Sequence, residues 1–196
     1  MCLTLDVIFV LITALGERPI SRLLRLGLEW AAPAVFEYAK LALAAGVLLW
    51  VRRVRALPVY GAWVAALLIL LAEDALQLHR LGGQLVRQLF DRGRAVMAVT
   101  EAAILGGLGL LILVILWHGY RTTADEAARR YTRQGIALLA LLAVFAIGVD
   151  IPHLFATRAW ERPLLLLEEG GELVVTSLIL AHAVWHAATI RAAAKA

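Results

Sequence analysis

Long apolar runs separated by short polar stretches dominate this chain. A helix needs about 20 consecutive apolar residues to cross the ~30 Å hydrocarbon core of a bilayer. Five runs reach that length, with ends placed to within about three residues: Ala31–Val51, Val59–Leu78, Val96–Trp117, Gly135–Phe155 and Leu164–His186. The pattern therefore predicts an all-α protein, a polytopic transmembrane helix bundle of about five spans, with residues 31–196 as its transmembrane domain.

The first thirty residues have a different pattern. Val7–Leu15 is apolar but too short to cross a bilayer, and Asp6 precedes it. It has no basic region before it and no clear small-residue cleavage site, so it does not match a signal peptide. Arginines at 18, 22 and 25 follow at helical spacing. We therefore predict that residues 1–30 form an N-terminal interfacial or re-entrant segment.

Composition supports a membrane protein and excludes other classes. Hydrophobic residues make up 62% of the chain and charged residues 17%, against about 45–50% and about 25% in soluble domains. The single cysteine, Cys2, excludes a disulfide scaffold. The net charge of +4 comes from arginines in short loops between apolar runs, which does not indicate nucleic-acid binding. We expect the lipid bilayer as a partner. The sequence leaves open whether the chain binds partner subunits or forms a homo-oligomer.

Acidic residues inside the apolar runs are the unusual feature. Eight of them lie in or at the edge of a predicted span: Glu37, Glu73, Asp74, Glu101, Asp150, Glu168, Glu169 and Glu172. When successive spans alternate in direction, all eight fall in the same half of the membrane. An ionised carboxylate at mid-bilayer costs roughly 2.5–3.5 kcal/mol on insertion scales. This group therefore needs basic partners, protons or a cation, and Lys40, one turn from Glu37, is one such partner.

The acidic residues at the start of the fifth predicted span share one helical stripe. Glu168 and Glu169 lie four and three residues before Glu172, and Thr176 continues the stripe one turn deeper. Gly170 and Gly171 lie between these acids, where they would let a neighbouring backbone or a ligand come close.

Glycines also mark two other segments. Gly106, Gly107 and Gly109 give the third predicted span a small-residue face, which predicts close helix packing. The connector His79–Ala95 contains Gly82, Gly83 and Gly93, and we predict that it forms a short surface helix between turns.

Two histidines join the acids in a pattern that suits a divalent metal. His79 follows Asp74 by five residues, and Asp150 and His153 share a helix face at i,i+3 spacing. The predicted ligands are Asp74, His79, Asp150, His153, Glu169 and Glu172, supported by the polar residues Glu37, Lys40, Glu73, Glu101, Glu168 and Thr176. Carboxylate and imidazole ligands suit Zn²⁺, Mn²⁺ or Fe²⁺. His182 and His186 have the i,i+4 spacing of helical metal or haem ligands, but a pair that snorkels to the membrane interface is the favoured interpretation. Haem bound through two of the five histidines is the less favoured cofactor.

Three short motifs carry a resemblance. They are Glu73-Asp74-x4-His79, Val149-Asp150-x-x-His153 and Glu168-Glu169-Gly-Gly-Glu172. Together they resemble a family of uncharacterised bacterial integral membrane proteins, from which this chain departs at Arg80 and Glu169, where the family has Glu and Asp. The resemblance implies a multi-pass protein of the bacterial cytoplasmic (inner) membrane with a shared polar site. It implies no reaction.

Three functions fit these observations. A metal-dependent membrane hydrolase would use the metal to activate water and a spare glutamate as general base. A non-catalytic structural or accessory subunit of a membrane complex would use the acids in ion pairs. A proton or ion transport component would use the carboxylates and histidines as a relay. The sequence identifies no catalytic residue, and whether the protein is an enzyme stays open.

Overall fold

A computed structural model of the chain describes residues 2–15, 31–90, 94–148 and 158–194. Seven α-helices lie in these ranges: α1 (Cys2–Leu15), α2 (Ala32–Arg55), α3 (Pro58–Leu76), α4 (Leu78–Phe90), α5 (Arg94–Arg121), α6 (Glu126–Ala143) and α7 (Arg158–Ala193). One turn of π-helix, Val144–Gly148, continues α6. The described ranges contain no β-strand, which confirms the all-α, helical-bundle prediction.

Four helices of the described residues are long and apolar enough to cross a membrane. They are Ala32–Arg55, Pro58–Leu76, Val99–Arg121 and Pro163–Ala193, with mean hydropathy from 1.6 to 2.4. The chain is therefore a multi-pass membrane protein. The remaining predicted span, Gly135–Phe155, coincides with the end of α6 and the π-helical turn as far as Gly148. Its last residues, 149–155, lie outside the described residues.

Local signals explain several helix ends. Pro58 stands at the start of α3, where its missing N–H costs no hydrogen bond. The same helix ends at Gln77, which adopts a left-handed conformation with φ 51° and donates its backbone N–H to the Glu73 carbonyl. Asp125 caps α6 by accepting a hydrogen bond from the Ala128 backbone N–H at 2.8 Å. The polar connector predicted as a short surface helix is α4.

The chain divides into two compact units. The first unit combines residues 1–44 with residues 133–196, and it contains α1, the first half of α2, the end of α6 and α7. The second unit is residues 45–132, and it contains the end of α2, α3, α4, α5 and the start of α6. Of the ten predicted site residues on described positions, six belong to the first unit and four to the second.

Aromatic packing forms the core of the second unit. Trp63 is 1% exposed, stands edge-on to the Tyr131 ring at 5.7 Å, and donates its Nε1–H to Thr132 Oγ1 at 3.2 Å. Burial raises the pKa of Tyr131 above its ordinary value, because desolvation disfavours the charged phenolate. Gly119 of α5 lies so close to α3 that a Cβ there would stand 3.0 Å from Val59 Cα. Side-chain stacking and close backbone approach thus hold α3, α5 and α6 together.

Candidate functional site

A buried ion pair lies inside the first unit. Lys40 Nζ is 3.0 Å from Asp6 Oδ1, 2.6 Å from the Leu173 carbonyl oxygen and 3.3 Å from Ser177 Oγ. Ser177 Oγ in turn donates to Asp6 Oδ2 at 2.6 Å. Lys40 is 1% exposed and Asp6 is fully buried. We call these four groups the Lys40 cluster, and they join α1, α2 and α7.

The cluster is closed by apolar neighbours. The Phe9 ring of α1 packs against the Phe36 ring of α2, with centroids 6.0 Å apart. The ammonium of Lys40 lies 4.8 Å from the centroid of the same Phe36 ring, in a cation–π contact. A charge in such surroundings is tolerated because each of its hydrogen-bonding groups has a partner.

The sequence pattern did not identify Asp6 or Ser177 as site residues. Glu37, the partner that the spacing predicts for Lys40, is buried one turn away and takes part in an interaction within the protein. Lys40 also pairs with the carboxylate of Asp6, 34 residues earlier in the chain. The one signal available in the sequence was an acidic residue directly before an apolar run too short to span a membrane.

The predicted acidic stripe lies on α7. Glu168, Glu169 and Glu172 are half-buried, and each takes part in an interaction within the protein. Thr176, expected to extend the stripe, is buried, and its hydroxyl lies 2.9 Å from the Glu172 carbonyl oxygen and 3.0 Å from that of Leu173. Thr176 therefore bonds to the helix backbone one turn before it.

Two glycines interrupt the same stripe, and the structure accounts for both. A Cβ on Gly170 would lie 3.0 Å from Val10 Cγ2 of α1. At Gly171 a Cβ would overlap the Phe145 ring of the π-helical turn. The close approach predicted at these glycines is thus made by side chains of the first unit itself.

The other described site residues belong to the second unit. His79 Nδ1 makes a hydrogen bond to Glu73 Oε1 across the junction of α3 and α4. Glu101 of α5 packs against Gly83 of α4 so closely that a Cβ on Gly83 would lie 2.7 Å from Glu101 Oε1. Within the described chain, that buried oxygen has no hydrogen-bond partner. Asp74 is half-buried and takes part in an interaction within the protein.

The predicted metal ligands lie in three parts of the chain. Asp150 and His153 lie outside the described residues, Asp74 and His79 belong to the second unit, and Glu169 and Glu172 belong to the first. Among the described positions, no three His, Cys, Asp or Glu side chains come together in a way that would hold a metal ion. The divalent metal and the less favoured haem stay predictions.

Comparisons with known proteins assign no family to this chain. No family model matches the chain, and no match was found to a curated protein or to a solved structure. The resemblance carried by the three motifs stays a prediction. The class that the fold defines is a multi-pass helical membrane protein with buried ionisable groups.

Proposed function

We propose that this chain is a multi-pass protein of the bacterial cytoplasmic membrane that serves as a non-catalytic structural or accessory subunit of a membrane complex. The assignment to a bacterial membrane rests on the resemblance carried by the three motifs of acidic residues and histidines. The structural role rests on one observation, the saturated hydrogen bonding of the Lys40 cluster.

A charged group that moves protons or binds a metal needs a hydrogen-bonding position that another proton carrier or a metal ion can occupy. The ammonium of Lys40 has three N–H donors, and three acceptors lie within 3.3 Å of it. Each carboxylate oxygen of Asp6 has its own donor, one from Lys40 and one from Ser177. This arrangement supports a role in joining three helices, because every group is already used in that contact.

Native extraction into polymer-bounded discs, followed by mass measurement, tests the accessory role. We expect the chain in an assembly with a second component at constant stoichiometry. Elemental analysis of the same material, beside Glu172→Ala and His153→Ala, tests the metal hypothesis. A chain found alone, with near-stoichiometric Zn, Mn or Fe that both variants lose, would overturn the accessory role in favour of a metal-dependent membrane hydrolase.

A second candidate, proton handling, is favoured by Glu101. Its Oε1 is buried without a hydrogen-bond partner in the described chain, whereas Glu73 and His79 of the same unit are bonded to one another. A carboxyl group in a span is a common element of proton relays. Proteoliposomes containing a trapped pH dye would show proton flux in the wild type and its loss in Glu101→Gln. The matched control is Glu126→Gln, at an exposed residue at the start of α6. Equal flux in both variants and in empty liposomes would exclude this candidate.

A further inference from the structure

The helix α1 has its polar and apolar sides reversed relative to a helix on a water-soluble protein. Its acidic residue, Asp6, is fully buried. Its large apolar residues Leu3, Val7, Ile8 and Leu11 are between 43% and 52% exposed. A helix bathed by water turns its apolar stripe inward and its charges outward. The outer face of α1 therefore suits an apolar surrounding.

The depth of the Lys40 cluster can be read along the two spans that it joins. Lys40 lies eight residues after Ala32, the first residue of α2, which corresponds to about 12 Å along the helix axis. Leu173 lies ten residues after Pro163, where the apolar span of α7 begins, which corresponds to about 15 Å. Both estimates place the cluster near the middle of a ~30 Å hydrocarbon core.

The contacts also give the direction of α1. Going from Asp6 to Phe9 along α1, the partners on α2 go backwards from Lys40 to Phe36. The helix α1 is therefore antiparallel to α2. Leu15, at the end of α1, lies nine residues or about 13 Å from Asp6, toward the start of α2.

The contacts between α1 and α7 also show an antiparallel arrangement. Asp6 bonds to Ser177, and Val10, one turn later in α1, packs against Gly170, which lies two turns earlier in α7. The helices α2 and α7 are thus both antiparallel to α1. Both begin at the end of the first unit where α1 ends. An upright helix of this direction lies beside the apolar parts of α2 and α7 over its whole length.

We propose that α1 is embedded upright in the hydrocarbon layer and that the face formed by Leu3, Val7, Ile8 and Leu11 contacts lipid acyl chains. The pair of Asp6 and Lys40 holds α1 at that depth. This assignment distinguishes α1 from an interfacial helix, which lies flat at the level of the headgroups. It is independent of the accessory role proposed above.

Nitroxide scanning tests this arrangement, because Cys2 is the single cysteine. In a Cys2→Ala background, Leu3→Cys, Val7→Cys and Leu11→Cys would each be spin-labelled in liposomes. Relative access to oxygen and to a polar nickel complex reports depth. We expect high oxygen access at all three sites and a depth that changes by about 12 Å from Leu3 to Leu11.

Three outcomes would overturn the proposal. Equal depth at the three sites would show a helix lying flat in the interface. High access to the nickel complex would show a water-exposed helix. Low access to both reagents would show a protein surface covering the face, as in a second copy of the chain or a partner subunit.

A variant pair tests the contribution of the ion pair to this position. Asp6→Lys alone is expected to abolish the depth gradient, because two ammonium groups would then meet in the apolar interior. The exchange Asp6→Lys with Lys40→Asp is expected to restore it. An unchanged gradient in the single variant would show that α1 is embedded without help from the pair.

Discussion

The two units of this protein hold their helices together by different means. In the first unit, an ammonium, a carboxylate, a hydroxyl and a backbone carbonyl from three helices meet in one buried cluster. In the second unit, an indole packs against a phenol, and the backbones of α3 and α5 approach closely at Gly119. Lipid tails are as apolar as leucine, so apolar side chains by themselves stabilise the association of membrane helices only weakly. Polar bonds and close backbone contact are two interactions that stabilise it.

The comparison also concerns specificity. A buried ion pair is expensive to form and still more expensive to break, so it favours the one arrangement in which all its groups are satisfied. Packing at a glycine depends on shape alone and is lost in smaller steps. A single substitution in the ion pair of the first unit should therefore lower the free energy of unfolding more than one at a packing contact of the second unit. Replacing both partners of the ion pair should restore most of the loss.

The largest effect is expected from Lys40→Met, which leaves the carboxylate of Asp6 buried without its cation. We expect a loss of about 3–5 kcal/mol in the free energy of unfolding, measured by circular dichroism in mixed micelles with increasing dodecyl sulfate. The double variant Asp6→Leu/Lys40→Met removes both charges and should recover most of that loss. If the double variant were as unstable as the single one, the pair would not be the source of the effect.

The next largest effect tests the close approach in the second unit. Gly119→Ala places a Cβ 3.0 Å from Val59 Cα and 2.8 Å from Ala62 Cβ, and α5 must move to admit it. We expect a loss of about 1–3 kcal/mol in the same measurement. The control lies in the same helix. At Gly106 no described atom lies within 4 Å of an added Cβ, so Gly106→Ala should be neutral or slightly stabilising. Equal losses at both positions would indicate a general effect on α5.

A smaller effect is expected at the indole of the second unit. Thr132→Val removes the acceptor of the Trp63 Nε1–H and leaves that donor buried. We expect a loss of about 1–2 kcal/mol, since an unsatisfied buried donor costs more than the net worth of its bond. The matched control is Thr122→Val, because the exposed Thr122 donates to a backbone carbonyl one turn before it, as Thr132 does to the carbonyl of Ala128. A loss of the same size in the control would attribute the effect to that hydroxyl–carbonyl bond and not to the indole donor of Trp63.

The apolar pattern predicted the helices well because that signal is local. A run of 20 apolar residues marks a span whatever the rest of the chain does, and α2, α3, α5 and α7 all lie on predicted spans. The short helix α4 was predicted within a connector that contains Gly82, Gly83 and Gly93. Helix ends differ by a few residues, most in α7, which extends to Ala193 because alanine-rich sequence continues the helix beyond its apolar part.

The candidate site was less predictable from the sequence. Spacing along one helix placed Thr176 in the acidic stripe, yet its hydroxyl bonds to the backbone of the same helix. Gly106, with Gly107 and Gly109, was expected to allow close helix packing, yet none of the three is approached by a described side chain. Gly119, which no motif singled out, is the glycine of α5 that packs against a neighbouring backbone. Periodicity gives the face of a residue on its own helix, whereas its neighbour is set by another part of the chain.

The sequence by itself thus determined the class of this protein, an all-helical multi-pass membrane protein, and the presence of ionisable groups within apolar segments. Hydrophobic run length and charge are properties of single segments, and the bilayer acts on each segment separately. Only the tertiary structure decided which groups meet. Lys40 bonds to Asp6 and to the carbonyl of Leu173, 133 residues away, because three helices pack so that each buried polar group is satisfied. That condition applies to the assembled helices together, and no single segment of the sequence contains it.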